Sequence, residues 1–292
     1  MCESITTYIN PLTDFGFKYI FGRYADKEFI LSFLNAVIGG ETPITNVIFI
    51  DKEKKGESKE DRALIYDLHC ELEDGRKIIV EMQNRYQTHF DDRAIFYLAA
   101  DIYAQGEKGE GWDYKLTPVY GVFLMNFEWK GYKEQHLRED VCLYNMQTKR
   151  VFSDKMGMTF LKIPMLVKDA DECKTTLDRW LYLLKNMEKM ETIPQTFMKE
   201  PVFRRLGKVA RYAALNEKDK QAYKASLKAY RDSYAIAETE RAEGRAEGRA
   251  EGRAEGRAEE KKDIARKMLS DGYTIDVISS LTGLSLSEIS SL

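Results

Sequence analysis

Three residues stand out by type and spacing: Asp67, then after a thirteen-residue interval Glu81, and Gln83 two positions on. They lie in ALIYDLHCELEDGRKIIVEMQ (63–83), where apolar and polar residues alternate on both sides of a turn, the pattern of two half-buried strands. Tyr66, Leu68, Cys70 and Leu72 are expected on one face, with Asp67, His69 and Glu71 on the other. On the second limb Ile78, Val80 and Met82 share one face, and Ile79, Glu81 and Gln83 the opposite one. Residues facing each other across a hairpin share a face, and a one-residue slip swaps the faces. A two-residue Asp74-Gly75 turn pairs Asp67 with Met82, which mixes them. A three-residue loop, Glu73-Asp74-Gly75 with Gly75 at the left-handed bulge position, pairs Leu72 with Arg76 and therefore Asp67 with Glu81. The second register is the one expected, and it sets two carboxylates roughly 5 Å apart on one face. Like charges that close repel, so one takes up a proton or a cation binds between them. Hard oxygen ligands suit Mg²⁺ or Mn²⁺, which keep several waters for chemistry. The plain competing reading is two acids on a solvated sheet face.

Asp67, the thirteen-residue interval and Glu81-Met82-Gln83 resemble the PD-(D/E)xK nuclease signature, with glutamine in place of the usual lysine. The stretches NPLTDFGFKYIFG (10–22), FLNAVIGG (33–40), GRKIIVEMQ (75–83) and FDDRAIFYLAADIYAQ (90–105) are similar to the Rpn group of recombination-promoting nucleases, as are the later Ala-Glu-Gly-Arg repeats. The resemblance covers most of residues 8–292. It implies an α/β, restriction-endonuclease-like core, with a mixed central sheet flanked by helices, followed by a helical C-terminal extension. It further implies a Mg²⁺-dependent endodeoxyribonuclease (Mn²⁺ as substitute) that hydrolyses phosphodiester bonds in recombination, transposition or phage defence.

On this resemblance Asp67 and Glu81 are the metal ligands, and Asp67, Glu81 and Gln83 the catalytic set. The Gln83 amide would orient water or the scissile phosphate, but it lacks lysine's charge and cannot act as a general acid. The first core helix of such nucleases often adds an acid near the metal. Asp14 and Glu28 are the candidates, beside their ordinary roles as helix cap and solvated face. Arg93 is assigned to a phosphate, with Tyr97 four residues on and so on the same helical face; packing and a surface ion pair are the competing role. The alternative function is a non-cleaving nucleic-acid or protein-binding module on the same fold, against which both carboxylates count.

Around these residues the chain reads as elements that position them. Thr13 or Asp14 caps a short helix carrying Phe17, Ile20 and Phe21. A second helix over 26–38 buries Phe29, Ile30, Phe33, Leu34 and Val37 and ends at Gly39-Gly40. Residues 46–50 read as the first core strand, and 51–62 as a charged loop. A helix spans 88–105, then a glycine loop covers 106–111. PVYGVFLMNF (118–127) is nearly continuously apolar, as a strand buried on both faces should be. Further strands are expected at 139–146 and 157–166.

From 171 the text turns helical, with Cys173, Leu177, Trp180, Leu181 and Leu184 in one stripe. Residues 199–231 carry ten Lys/Arg against three Asp/Glu. Within them Lys220, Lys224 and Lys228 form the best footprint for a DNA backbone, which would make binding salt-sensitive; a solvated helix face is the competing reading. Residues 242–257 are four copies of Ala-Glu-Gly-Arg. Each Gly costs about 1 kcal/mol relative to Ala, so the segment reads as a marginal helical spacer. IDVISSLTGLSLSEISSL at the end resembles a helix-turn-helix. Residues 263–292 hold two basic against four acidic groups, and Ile275, Ile278, Leu281, Leu284 and Leu286 need cover. Self-association or packing therefore suits the tail better than reading DNA. The divisions expected are 1–170 nuclease-like core, 171–241 helical extension, 242–260 spacer and 261–292 association element, the last giving a homo-oligomer.

Composition narrows the classes. A net charge of −3 places any attraction to DNA in local patches. No run of eighteen apolar residues and no signal-peptide pattern is read, so a cytoplasmic protein without a membrane partner is expected. Cys2, Cys70, Cys142 and Cys173 are scattered, and His69, His89 and His136 show no zinc spacing, which leaves core or surface thiols.

Overall fold

The computed structural model describes residues 6–40, 43–50, 53–54, 64–106, 113–127 and 136–292, without the side chains of 53–54 and 64–65. Most of the charged loop at 51–62 and of the glycine loop at 106–111 lies outside the described residues.

Thr13 caps α1 (Asp14–Phe21) by accepting a hydrogen bond from the Gly16 N–H at 3.0 Å, which leaves Asp14 as the first helical residue. Asp26 caps α2 (Lys27–Ile38) in the same way through the Glu28 N–H. The apolar residues read at helical spacing in both helices are buried. The strands are β1 (Val47–Phe49), β2 (Glu53–Lys54), β3 (Leu64–Ile65), β4 (Leu68–Leu72), β5 (Lys77–Gln83), β6 (Val119–Met125), β7 (Arg138–Asn145) and β8 (Arg150–Lys162), with α3 (Phe90–Tyr103) between β5 and β6. β2 and β3 pair by themselves. The other six form one mixed sheet in the order β1-β4-β5-β6-β8-β7. β5, β6 and β8 run parallel through its centre, and the outer pairings are antiparallel. β8 begins seven residues earlier than the apolar pattern suggests, because its first half forms a solvated hairpin with β7. That hairpin is irregular: its register shifts at Cys142/Leu143 and again at Leu143/Tyr144.

β4 and β5 pair Leu68 with Val80 and Cys70 with Ile78. The turn closes with Leu72 N–H donating to the Arg76 carbonyl at 2.9 Å. Gly75 has φ +82, a left-handed conformation that glycine adopts without steric penalty. This is the register inferred from keeping the faces consistent. The alternation fails at one place. A bend at Asp67 breaks the strand between β3 and β4, so Tyr66 does not share a face with Leu68 and Cys70, and Asp67 leaves the face expected for it with His69 and Glu81. Tyr66 lies on the opposite side of the sheet from Leu68, with Ile79, Tyr97 and Leu98.

One face of the sheet carries the larger core, where Phe17, Phe33, Leu68, Ile78 and Val122 meet α4 (Thr176–Asn186) and α5 (Pro201–Val209). Trp180 ties these helices together: its ring lies 5.2 Å from Phe21 and 5.0 Å from Phe203, and its indole N–H donates to Ser32 at 3.0 Å. α3 covers the other face over Ile79, Phe123 and Phe160. Residues 1–230 form one compact unit and 231–292 a second. In the second, Ala265, Ile278, Leu284 and Ile289 gather between the end of α6 (Glu217–Ser270), α7 (Ile275–Thr282) and α8 (Leu286–Ser290). Ile275, Leu281 and Leu286 stay exposed there. The four Ala-Glu-Gly-Arg copies are helical within α6. Among the described residues no helix is long and apolar enough to cross a membrane.

Candidate active site

The bend at Asp67 decides how the two acids meet. With Asp67 outside the ladder, its backbone N–H donates to Glu81 Oε1 at 3.0 Å, while its own Oδ2 accepts the Met82 N–H at 2.8 Å. Each carboxylate thus holds the backbone of the other's segment. Glu81 is buried and also takes Gln83 Nε2 at 3.2 Å and Arg93 Nη2 at 3.5 Å on Oε2. These donors all favour the carboxylate form. Burial first and the negative Asp67 second outweigh them and push the Glu81 pKa up to about 8.

α3 delivers the positive charge. Arg93 and Tyr97, four residues apart, bond through Nε and the phenol oxygen at 2.9 Å, and Nη1 of Arg93 donates to Gln87 at 2.8 Å. The guanidinium carbon lies 5.1 Å from the Tyr97 ring centre. The Tyr97 phenol is held above its ordinary pKa by burial and by Glu81, so it stays neutral while its oxygen accepts from Arg93.

Asp67 faces a small cleft on the other side, lined by Leu12, Asp14, Phe17, Met82 and Asn84 as well. Asn84 draws α1 to this place, since its side-chain amide donates to the Leu12 carbonyl at 2.7 Å. The structure therefore brings Asp14 to the same cleft as Asp67, with Lys18 as its ion-pair partner. Glu28 takes no part: with Asp26 it binds Arg205, at 2.6 and 2.7 Å. Asn84, one residue beyond the signature, carried no sequence signal of its own.

The first turns of α6 border the same region. Ser226 Oγ accepts the Phe15 N–H at 3.0 Å, and Asn126, itself bonded to Asn84, donates to the Tyr230 phenol at 3.2 Å. Lys224 and Lys228 are exposed on this stretch. Lys220 is half-buried, paired with Glu217 at 2.7 Å and 6.0 Å from the Tyr212 ring centre. Two further buried pairings went unread in the sequence. Lys162 is buried at the end of β8, in register with Met125 and through it with Gln83, and binds Glu139 at 2.5 Å. His69 and Asp101 make a buried contact of 2.6 Å beneath α3.

Among the described residues no group of three or more His, Cys, Asp and Glu side chains is placed to hold a metal ion by itself. The donor set is an open one: two carboxylates each bonded to the backbone of the other's segment, with Asp14 lining the same cleft as Asp67. It suits a hard divalent ion that keeps most of its waters, and such an ion would offset both the burial and the repulsion that raise the Glu81 pKa. Cysteine chemistry does not fit: burial pushes the Cys70 thiol up to about 12, far from a thiolate.

Comparison with known families gives two matches. Residues 11–240 match the family described as PD-(D/E)XK nuclease family transposase. Residues 258–292 match the C-terminal HTH domain of the Rpn/YhgA-like nuclease family. No curated protein and no solved structure matches the chain.

Proposed function

Since the chain belongs to the PD-(D/E)XK nuclease family, we propose that it is a DNA endonuclease that hydrolyses phosphodiester bonds with Mg²⁺ or Mn²⁺ held by Asp67 and Glu81. The observation that carries this reading is the pair of reciprocal bonds by which each carboxylate holds the other's backbone at a bend beside a cleft, with the Glu81 pKa raised by burial and then by the charge of Asp67. A bound divalent ion supplies a polarised phosphate oxygen and a more acidic water. Asp67 and Glu81 are the ligands, and Asp14 stands across the cleft as a further acid. Gln83 already touches Glu81 Oε2, and its amide orients the attacking water or the scissile phosphate. It cannot donate a charged proton as lysine would, so the cationic role falls to Arg93, with Tyr97 holding its guanidinium in place. Lys224 and Lys228, with Lys220 behind them, contact the DNA backbone from the start of α6.

The C-terminal helices serve, on this reading, to associate two copies of the chain. The exposed Ile275, Leu281 and Leu286 support this, as does the acidic balance of 263–292. One observation favours a second reading, a binding module that does not cut: glutamine occupies the place of the signature lysine.

Cleavage of supercoiled plasmid separates the two. With Mg²⁺ the wild-type chain should nick and linearise it, and with EDTA it should not. Asp67→Ala and Glu81→Ala should each lower the rate by at least about 100-fold, a metal-ligand loss rather than a fold defect. Wild-type nicking by either variant would remove the assignment; binding without cutting by the wild type would establish the second reading.

A further inference from the structure

Arg93, Tyr97 and Asp101 recur every four residues along α3 and lie on one face of it. That face is turned to the sheet, and its three polar groups meet three partners there. Arg93 meets Glu81, Tyr97 packs edge-on against Tyr66 with ring centres 5.1 Å apart, and Asp101 meets His69 at 2.6 Å. His69 and Asp101 are both essentially inaccessible to solvent. A buried acid in an apolar cluster is costly unless paired, and removing one member of such a pair is costlier than removing both.

The place of this pair in the chain gives it meaning. Tyr66 and His69 flank the bend that carries Asp67, their rings 4.9 Å apart. Both are seated under α3, while Asp67 between them turns to the cleft on the opposite side. The bend is thus clasped from one face of the sheet so that it presents a carboxylate on the other. At the far end of the same helical stripe, Arg93 reaches Glu81. α3 therefore contacts both segments that supply the acids, at β4 through Asp101 and at β5 through Arg93.

We infer that His69 and Asp101 are a positioning pair, docking α3 on β4 so that Asp67 and Glu81 are held at the separation a divalent ion requires. Neither residue touches substrate or the ion. The inference rests on the nuclease reading for its effect on cleavage but not for its effect on ion binding.

The full-length chain tests it by calorimetric titration with Mn²⁺ alone and by plasmid cleavage. Two variants are compared with wild type: Asp101→Asn, and the double replacement His69→Leu/Asp101→Leu, which removes both polar groups and so avoids a stranded charge. Both should bind Mn²⁺ about ten-fold more weakly and lower kcat by a similar factor, as losses of groups that orient metal ligands do. The KM for DNA should stay within about two-fold, because the groups that contact DNA are untouched. Adding Arg93→Gln to Asp101→Asn should cost less than it does alone, since both act through α3. A folded variant of either kind with wild-type Mn²⁺ affinity overturns the inference, and so does failure of both variants to fold, which would make the pair purely structural. A wild-type chain that binds Mn²⁺ without cutting overturns the nuclease reading, and the variants' Mn²⁺ affinities then still decide the pair. A wild-type chain that binds no Mn²⁺ overturns both.

Discussion

The Met82 N–H donates to the Asp67 carboxylate at 2.8 Å, although Met82 belongs to the strand that carries the other acid. The contact fixes where the negative charge of Asp67 lies relative to Glu81, whose oxygen in turn accepts the Asp67 N–H. Two acids are held together by backbone hydrogen bonds despite their repulsion. The burden of that repulsion falls on the buried member.

A pH dependence follows. Glu81 titrates at about 8 in the folded chain against an ordinary 4.5. Between these values the folded state binds a proton that the unfolded state does not, so stability falls as pH rises through that window. Below about pH 4.5 Glu81 costs nothing; above about pH 8 its full cost is present. Glu81→Gln should therefore raise Tm by a few degrees at about pH 8.5 and by little at about pH 5. Calorimetry at the two pH values checks this, and an equal gain at both would show that the Glu81 pKa is not raised.

Gln83→Ala should slow cleavage about ten-fold while leaving DNA affinity nearly unchanged, because the amide orients reacting groups rather than holding the duplex. Gln83→Lys should keep cleaving and do so from a lower pH, since an ammonium beside Glu81 favours its carboxylate form. Rates and gel-shift affinities measured on the same preparations separate these effects. Unaltered rate and binding in Gln83→Ala would leave Gln83 as a polar sheet residue only.

Gly121 lets α3 sit close to β6. A Cβ at this position would lie 2.5 Å from Phe123 Cε2 and 2.8 Å from Leu98 Cδ1. Both neighbours are packed in the core beneath α3, with little room to move. Gly121→Ala should destabilise the chain by about 1–3 kcal/mol, read from the urea midpoint. Wild-type stability would mean that the helix can lift without cost.

Truncation after Arg241 should retain metal-dependent nicking, because every residue assigned to the chemistry precedes it. Loss of the tail should lower the mass seen by light scattering and the share of double-strand products. An unchanged mass would rule out the tail as the assembly element.

Much of this arrangement is legible in the sequence where the determinants are local. Gly75 and the face pattern of the residues on either side of it suffice for the β4–β5 register. The apolar spacing places the two N-terminal helices, while the choice of Thr13 over Asp14 as the first cap and the Asp26 cap come from the structure. The bend at Asp67 escapes such reading because alternation assumes an unbroken strand. Nothing in the types of Tyr66 and Asp67 announces that the chain turns between them. Asp101 and His69 stand thirty-two positions apart, so only the packing of α3 on the sheet makes them partners. Asp14 reaches the cleft through Asn84 and Leu12, a tertiary hydrogen bond that no periodicity encodes. The acids themselves were readable; what clasps them was not.

The two register shifts between β7 and β8 bear on how the molecule behaves when crowded. β7 is an edge strand of eight residues with Val141, Leu143 and Tyr144 exposed along it, and Val151 and Phe152 exposed on the strand it pairs with. A straight edge of that composition is a template on which another chain can add a strand. The shifts at Cys142/Leu143 and Leu143/Tyr144 put the extra residues on β8, and such bulges bend and twist the hairpin at its most apolar point. The opposite edge, β1, is only three residues long. Among the described residues the sheet thus ends on one side in a stub and on the other in a kinked rail, a poor match for the straight strand a growing fibril would add.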